Sequence, residues 1–136
     1  MAQVLLPQLR KSMSLAFFQA YLQLLLVEPY LWGRDFGGLY QRVRQCPVSR
    51  QTLESKAIHK LCEAMDLACI WYWKHALCLQ RSAALTLLLR HHGVPANLVI
   101  GAQQIPFRSH AWVELDGRVL NDKQYVSEVF AVLDKC

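Results

Sequence analysis

The stretch Ser109-His110-Ala111-Trp112-Val113-Glu114-Leu115-Asp116-Gly117-Arg118-Val119-Leu120-Asn121-Asp122 decides the fold class. Its first half alternates at period two, so His110, Trp112 and Glu114 share one face of a strand and Ala111 and Val113 share the other. Asp116-Gly117 supplies a turn, and Arg118 to Asp122 reads as the returning strand. The hairpin register then decides what His110 meets. A two-residue Asp116-Gly117 turn pairs Leu115 with Arg118, puts His110 opposite Lys123 and sends Asp122 to the other face. A three-residue Leu115-Asp116-Gly117 loop with Gly117 left-handed pairs Glu114 with Arg118, Trp112 with Leu120 and His110 with Asp122. All three pairs are then complementary, and the first two each contribute about 0.2–1 kcal/mol. The three-residue loop is therefore expected, with Asp122 against the His110 ring.

Upstream, Leu98-Val99-Ile100 is a further strand-like run, whereas the sequence before Pro95 has helical spacing. Leu79, Ala83, Ala84, Leu87 and Leu88 predict a helix that closes on Arg90-His91-His92-Gly93-Val94-Pro95. Positive side chains in the last turn, a glycine just past the end and a proline beyond it form a strong stop signal. Leu53, Ala57, Leu61, Ala64, Met65 and Ala68 predict a longer helix, capped by Thr52 or by Ser55. Leu15, Phe18, Leu22, Leu25 and Leu26 predict a first helix laid on the core and ended by Pro29 after Glu28. Gly33, Gly37 and Gly38 are expected to break the chain before Leu39 to Val43, and Pro47-Val48-Ser49 to form the next connection. Helices come first and a hairpin sheet follows. That order predicts an α+β fold, with N-terminal helices packed on one face of a C-terminal antiparallel sheet.

At 136 residues and 54% hydrophobic, the chain is expected to form a single domain over residues 1–136. Residues 1–70 would be its mainly helical part, and residues 71–136 a helix plus the hairpin sheet. Charged residues are 18% of the chain, and the net charge of +5 is scattered and not clustered, which argues against nucleic acid as a partner. An acidic peptide would meet the same field. The five cysteines include no closely spaced pair, and reduced thiols in a cytoplasmic protein fit that usage best. Cys62, Cys69 and His75 lack the spacing of a zinc knuckle, His91 and His92 suit a helix C-terminus, and His59 has no local partner pattern. No metal and no cofactor is expected. Lys11 followed by Leu15 to Val27 resembles a signal sequence superficially, but Gln19 and Gln23 interrupt it and Val27-Glu28-Pro29 is no cleavage site. The run also falls short of the roughly 20 apolar residues of a membrane span.

Chemistry enters at Cys78, which stands just before the Leu79 to Leu88 pattern. A helix N-terminus there would stabilise a thiolate. The break is not marked by Gly or Pro, however, and a helix running on through Trp73 would make Cys78 an ordinary core cysteine like Cys62 and Cys69. A Cys activated by a His, with a carboxylate holding the His tautomer, is the arrangement for acyl transfer from an amide. Cys78, His110 and Asp122 are the candidate catalytic residues.

Cys78-Leu79-Gln80-Arg81-Ser82-Ala83, Gly93-Val94-Pro95, Ser109 to Glu114 and Gly117-Arg118-Val119-Leu120-Asn121-Asp122 together resemble the leader peptidase of lasso-peptide biosynthesis. The similarity covers the chain closely from Tyr72 onward and Trp32 to Val43 more loosely. The resemblance implies a transglutaminase-like, papain-related fold whose catalytic Cys, His and Asp map onto Cys78, His110 and Asp122. It implies cleavage of a ribosomally made precursor peptide at the leader–core junction. An ATP-dependent, asparagine-synthetase-like cyclase would then close the ring, and no phosphate-binding glycine loop occurs here. Some relatives fuse a winged-helix leader-recognition domain to the protease. The region before Cys78 reads as helices and turns, so the chain is expected to be the separate protease subunit of a split system, served by another leader-recognition protein.

In such a mechanism the Cys78 backbone N–H would help hold the oxyanion. Trp73 through its indole and Gln51 are the candidates for the second donor, and Trp71 and Trp73 serve equally well as core or interface anchors. A transglutaminase-like acyltransferase, in which an amine replaces water, and a non-catalytic peptide-binding adaptor on the same fold remain alternatives.

Overall fold

The computed structural model describes residues 2–48, 53–104 and 106–136, with side chains from Leu15 onward. Thr52, Gln51 and Ser49, expected as cap, oxyanion donor and part of a connection, lie outside the described residues. The elements are α1 (Ala2–Trp32), α2 (Phe36–Gln45), α3 (Ser55–Trp71), α4 (Cys78–His91), β1 (Asn97–Gln104), β2 (Phe107–Leu115), β3 (Arg118–Val119), α5 (Val126–Val129) and β4 (Ala131–Lys135). The strands form one antiparallel sheet in the order β3-β2-β1-β4.

Helix α4 organises the fold. From Gln80 to Arg90 every residue except Arg81 is buried, because α1 and α3 cover one side of the helix and β2 the other. Such a helix is apolar nearly all round, and Ala83, Ala84, Leu87 and Leu88 are parts of that core. Its end is a Schellman closure. Gly93 adopts φ +82, its N–H bonds the Arg90 carbonyl at 3.0 Å, and the Val94 N–H bonds the Leu89 carbonyl at 2.9 Å. Arg90 does more than answer the helix dipole. It is 5% exposed and donates to the Ala96 carbonyl at 3.0 Å and to the Val43 carbonyl, joining α2, α4 and the start of β1. His91 is exposed, while a ring nitrogen of His92 meets Gln19 Oε1 at 2.8 Å.

Three expectations for the helical half are corrected. Helix α1 buries Ala16, Ala20, Leu24 and Val27, and leaves Leu15 (61%), Phe18 (65%), Leu22, Leu25 and Leu26 exposed. Two apolar stripes compete on this helix, and the one with small side chains lets α1 approach α3 and α4 closely. Pro29 does not end α1, which continues to Trp32. The proline faces solvent one turn from the end, where water can replace the helical donor it lacks. Gly37 and Gly38 do not break the chain either but form the first turn of α2. There the Asp35 side chain accepts the Gly38 N–H at 2.9 Å, and a Cβ on residue 38 would strike that carboxylate. Helix α3 starts at Ser55 and buries Leu61, Ala64, Met65 and Ala68 as its spacing predicts.

The hairpin takes the two-residue register. Leu115 pairs with Arg118 and Glu114 with Val119, and Asp116 (φ +51) and Gly117 (φ +79) are both left-handed. Asp-Gly is well suited to that turn, whose twist matches the strands it joins. Gly117 is left-handed as expected, but the three-residue loop and its pairings are not formed. Trp112 packs with Val99, Val119 and Val126 of α5 on the sheet face away from α1, α3 and α4, whereas Leu120 packs on the helical core. Glu114 has no bond to Arg118. It accepts the Trp112 indole N–H at 3.0 Å and pairs with Lys135 at 2.9 Å. Strand β3 ends at Val119 instead of reaching Asp122, and α5 and β4 follow it.

Candidate active site

Cys78 is the first residue of α4 and the exposed member of the five free cysteines. The helix cannot be a continuation of α3, because Tyr72 leaves α3 in an extended conformation and the chain stays irregular up to Leu77. Leu77, at the N-cap, offers no side-chain acceptor, so the first amides of α4 are left without a side-chain cap. Two contacts fix the direction of α4 along β2. Ser82 Oγ donates to the Ala111 carbonyl at 3.0 Å, while Arg90 reaches Ala96, which precedes the Asn97–Glu114 pair. The N-terminus of α4 therefore points toward the His110 end of β2, with Cys78 one turn beyond Ser82 on the same helix face.

His110 Nε2 is hydrogen-bonded to Asp122 Oδ2 despite the two-residue turn. The ladder is broken to allow it. Leu120 N–H still bonds the Val113 carbonyl at 2.9 Å, but the Val113 N–H turns to Asn121 Oδ1 at 2.8 Å, so a side chain replaces the next backbone acceptor. Asn121 Nδ2 donates to Ser82 Oγ at 3.0 Å, and Arg81 donates to the Asn121 carbonyl at 2.8 Å. Pulled toward α4 at Asn121, the chain brings Asp122 round to the histidine. The other Asp122 oxygen accepts the Lys123 N–H at 2.7 Å. Burial pushes the Asp122 carboxyl up, but the His110 and Lys123 hydrogen bonds and the Arg81 charge outweigh it and hold it below the ordinary carboxylate range.

The His110 ring is flanked by Phe130 at 5.2 Å and Trp112 at 6.1 Å between centroids, both stacked. Among the described residues no hydrogen bond joins Cys78 to His110. An open cleft runs between the Tyr72 to Ala76 segment and the Leu120 to Lys123 segment, with Arg81 and Asp122 in its wall. Among the described residues no group of three His, Cys, Asp or Glu side chains could hold a metal ion, and no helix is long and apolar enough to cross a membrane.

Residues 24–135 match the transglutaminase-like superfamily. The chain belongs to that superfamily. A stretch of 56 residues is 41% identical to the microcin J25-processing protein McjB of Escherichia coli, covering 41% of this chain and 27% of that protein. No solved structure matches the chain. The transglutaminase-like, α+β reading and the resemblance to a peptide-processing protein are thus borne out.

Within this transglutaminase-like domain the other four thiols are less exposed than Cys78. Burial pushes Cys62 and Cys69 up to about 11 each, so both are neutral and poorly nucleophilic near pH 7, although Cys69 also lines the cleft. His59 pairs with Glu63 one turn away on an exposed helix face, and His75 is exposed in the cleft wall. Trp71 and Trp73 are exposed and not core; Trp73 lines the cleft and packs edge-on against Trp32 at 6.3 Å. The sequence reading missed Asn121, Arg81 and Phe130. Asn121 and Arg81 stand inside the quoted motifs, but only the break after Val119 reveals their bonds. Phe130 precedes a strand with no period-two pattern.

Proposed function

We propose that this chain is a cysteine endopeptidase that removes the leader from a ribosomally made lasso-peptide precursor. The observation that carries the proposal is the His110–Asp122 hydrogen bond, made from the half of β2 toward which the Cys78 terminus of α4 points. Because Nε2 is turned to Asp122, Nδ1 is the acceptor in the neutral ring and is free to take the Cys78 proton. The Sγ thiolate attacks the carbonyl at the leader–core junction, and the uncapped amides at the start of α4 lie ready to bind the oxyanion. His110, now protonated, gives its proton to the leaving core amine. It then deprotonates a water that hydrolyses the leader thioester and restores the thiol. Asp122, held ionised, keeps the tautomer and stabilises the imidazolium. The resemblance to leader peptidases, and similarity to a protein named for microcin processing, support the substrate class. They also support work beside a separate leader-recognition protein and an ATP-dependent, asparagine-synthetase-like cyclase.

An amine in place of water would turn the same groups into a transferase. Incubation of the protein with a precursor peptide and leader-recognition partner in ¹⁸O-labelled water, read by mass spectrometry, separates the two. A new core N-terminus and a leader carboxylate carrying ¹⁸O is the expected result. Ammonia release or an isopeptide product would replace the peptidase reading with the transferase.

A further inference from the structure

Glu28 lies on α1, 7% exposed, and takes no part in the proposed chemistry. Its carboxylate nevertheless gathers three donors. Tyr72 Oη donates to Oε2 at 2.8 Å, Gln80 Nε2 donates to Oε2 at 2.6 Å, and the Lys74 ammonium pairs with Oε1. Gln80 is fully buried, and its Nε2 also reaches the Leu24 carbonyl at 3.3 Å. Burial pushes the Glu28 carboxyl up, but these hydrogen bonds outweigh it and keep the group ionised.

Tyr72 and Lys74 precede Cys78 in the chain, and Gln80 follows it. One carboxylate on α1 therefore fixes both ends of the stretch that carries the candidate nucleophile. That stretch is irregular from Tyr72 to Leu77 and lacks a side-chain cap on α4, and its other anchors are the ring contacts of Tyr72 with Tyr21 and of Trp73 with Trp32, again on α1. A buried charge is a poor source of stability compared with apolar packing of the same volume. Its two hydrogen bonds and the Lys74 ion pair do define where the start of α4 sits on α1. We infer that Glu28 is a positioning residue for Cys78, setting the start of α4 at the His110 end of β2 through Tyr72, Lys74 and Gln80.

This inference rests on the peptidase reading for Cys78, and two readouts keep them apart. In the full-length protein, Glu28→Gln, Glu28→Ala and Tyr72→Phe are compared with wild type for the rate of Cys78 alkylation by iodoacetamide across pH. Cleavage of the precursor is followed in parallel as kcat and KM. Leu61→Ala, a core truncation away from the network, serves as the control for lost stability. The expected result is that folded Glu28→Gln loses about 10–100-fold in kcat with little change in KM, the scale of a misplaced reacting group. Its Cys78 is alkylated more slowly than in wild type, whereas Leu61→Ala lowers the melting temperature and leaves the alkylation rate unchanged. Should Glu28→Ala not fold, Tyr72→Phe, which removes one donor and keeps the ring, shows the same change at smaller size. Wild-type alkylation and cleavage in the folded Glu28 variants would overturn the inference. Slowed alkylation in a protein that cleaves no precursor would leave Glu28 as the positioning group and remove the peptidase reading instead.

Discussion

Gly101 stands opposite His110 in the β1–β2 ladder, where the pairing of β1 with β4 is interrupted by a register shift. A methyl group on this residue would lie 2.7 and 2.8 Å from Cη2 and Cζ3 of Trp112 and 3.0 Å from Cβ of Phe130. Trp112 has no room to yield, because it is fully buried and its indole N–H is held by Glu114. Gly101→Ala is therefore overpacking of a closed site, which costs about 1–3 kcal/mol. For a chain of this length the unfolding entropy is about 0.29 kcal/mol/K, so the melting temperature falls by about 3–10 °C. The same two rings flank His110, and their displacement lowers precursor cleavage as well. Thermal unfolding followed by circular dichroism, with cleavage measured well below the midpoint, reads both effects. An unchanged midpoint together with unchanged cleavage would refute the claim that Gly101 is what lets Trp112 and Phe130 close round the histidine.

Asp122→Asn should keep the fold with a modest fall in melting temperature, and lower kcat by about 10⁴, the size known for loss of the orienting carboxylate in a serine protease; a folded variant within tenfold of wild type would contradict the role given to Asp122. Cys69→Ala should lose about 1 kcal/mol of stability in urea titrations and keep its cleavage rate, since its thiol is held neutral by burial, and an inactive folded variant would mean that Cys69 is the nucleophile. Asp122, Glu28 and Glu114 all sit below their ordinary carboxyl values in the folded protein. The unfolded chain then binds more protons, so their contribution is present at neutral pH and is lost as pH falls through the ordinary carboxylate values toward the folded ones. Urea midpoints that stay level from neutral pH down to about pH 3 would contradict that sign.

The order of elements was legible in the sequence because periodicity changes from helical to alternating after Pro95, and because Arg90 to Pro95 carries a complete stop signal. What periodicity could not resolve was the choice between two faces. On α1 both stripes are apolar, and the small residues Ala16 and Ala20 won the core through close approach. In the hairpin the preference of Asp116-Gly117 for a two-residue turn outweighed the pairings of Glu114 with Arg118 and Trp112 with Leu120. His110 and Asp122 were expected to meet, and they do so by another route. The contact comes from the departure of the chain at Asn121, whose side chain bonds Ser82 and Val113, and not from cross-strand register. Such a break depends on α4 lying alongside β2, a tertiary fact with no local sequence signature. The Glu28 cluster was hidden for a related reason, since it joins a residue of α1 to partners from the irregular segment and α4.

The central claim is that the Cys78 thiol is the nucleophile for leader removal. The most direct measurement is precursor processing by the Cys78→Ala protein, with its leader-recognition partner present and its melting temperature recorded alongside. The account predicts a folded protein with a midpoint near that of wild type, because Cys78 is exposed, and no new core N-terminus in the mass spectrum. A folded Cys78→Ala protein that releases the core peptide at the wild-type rate would contradict it.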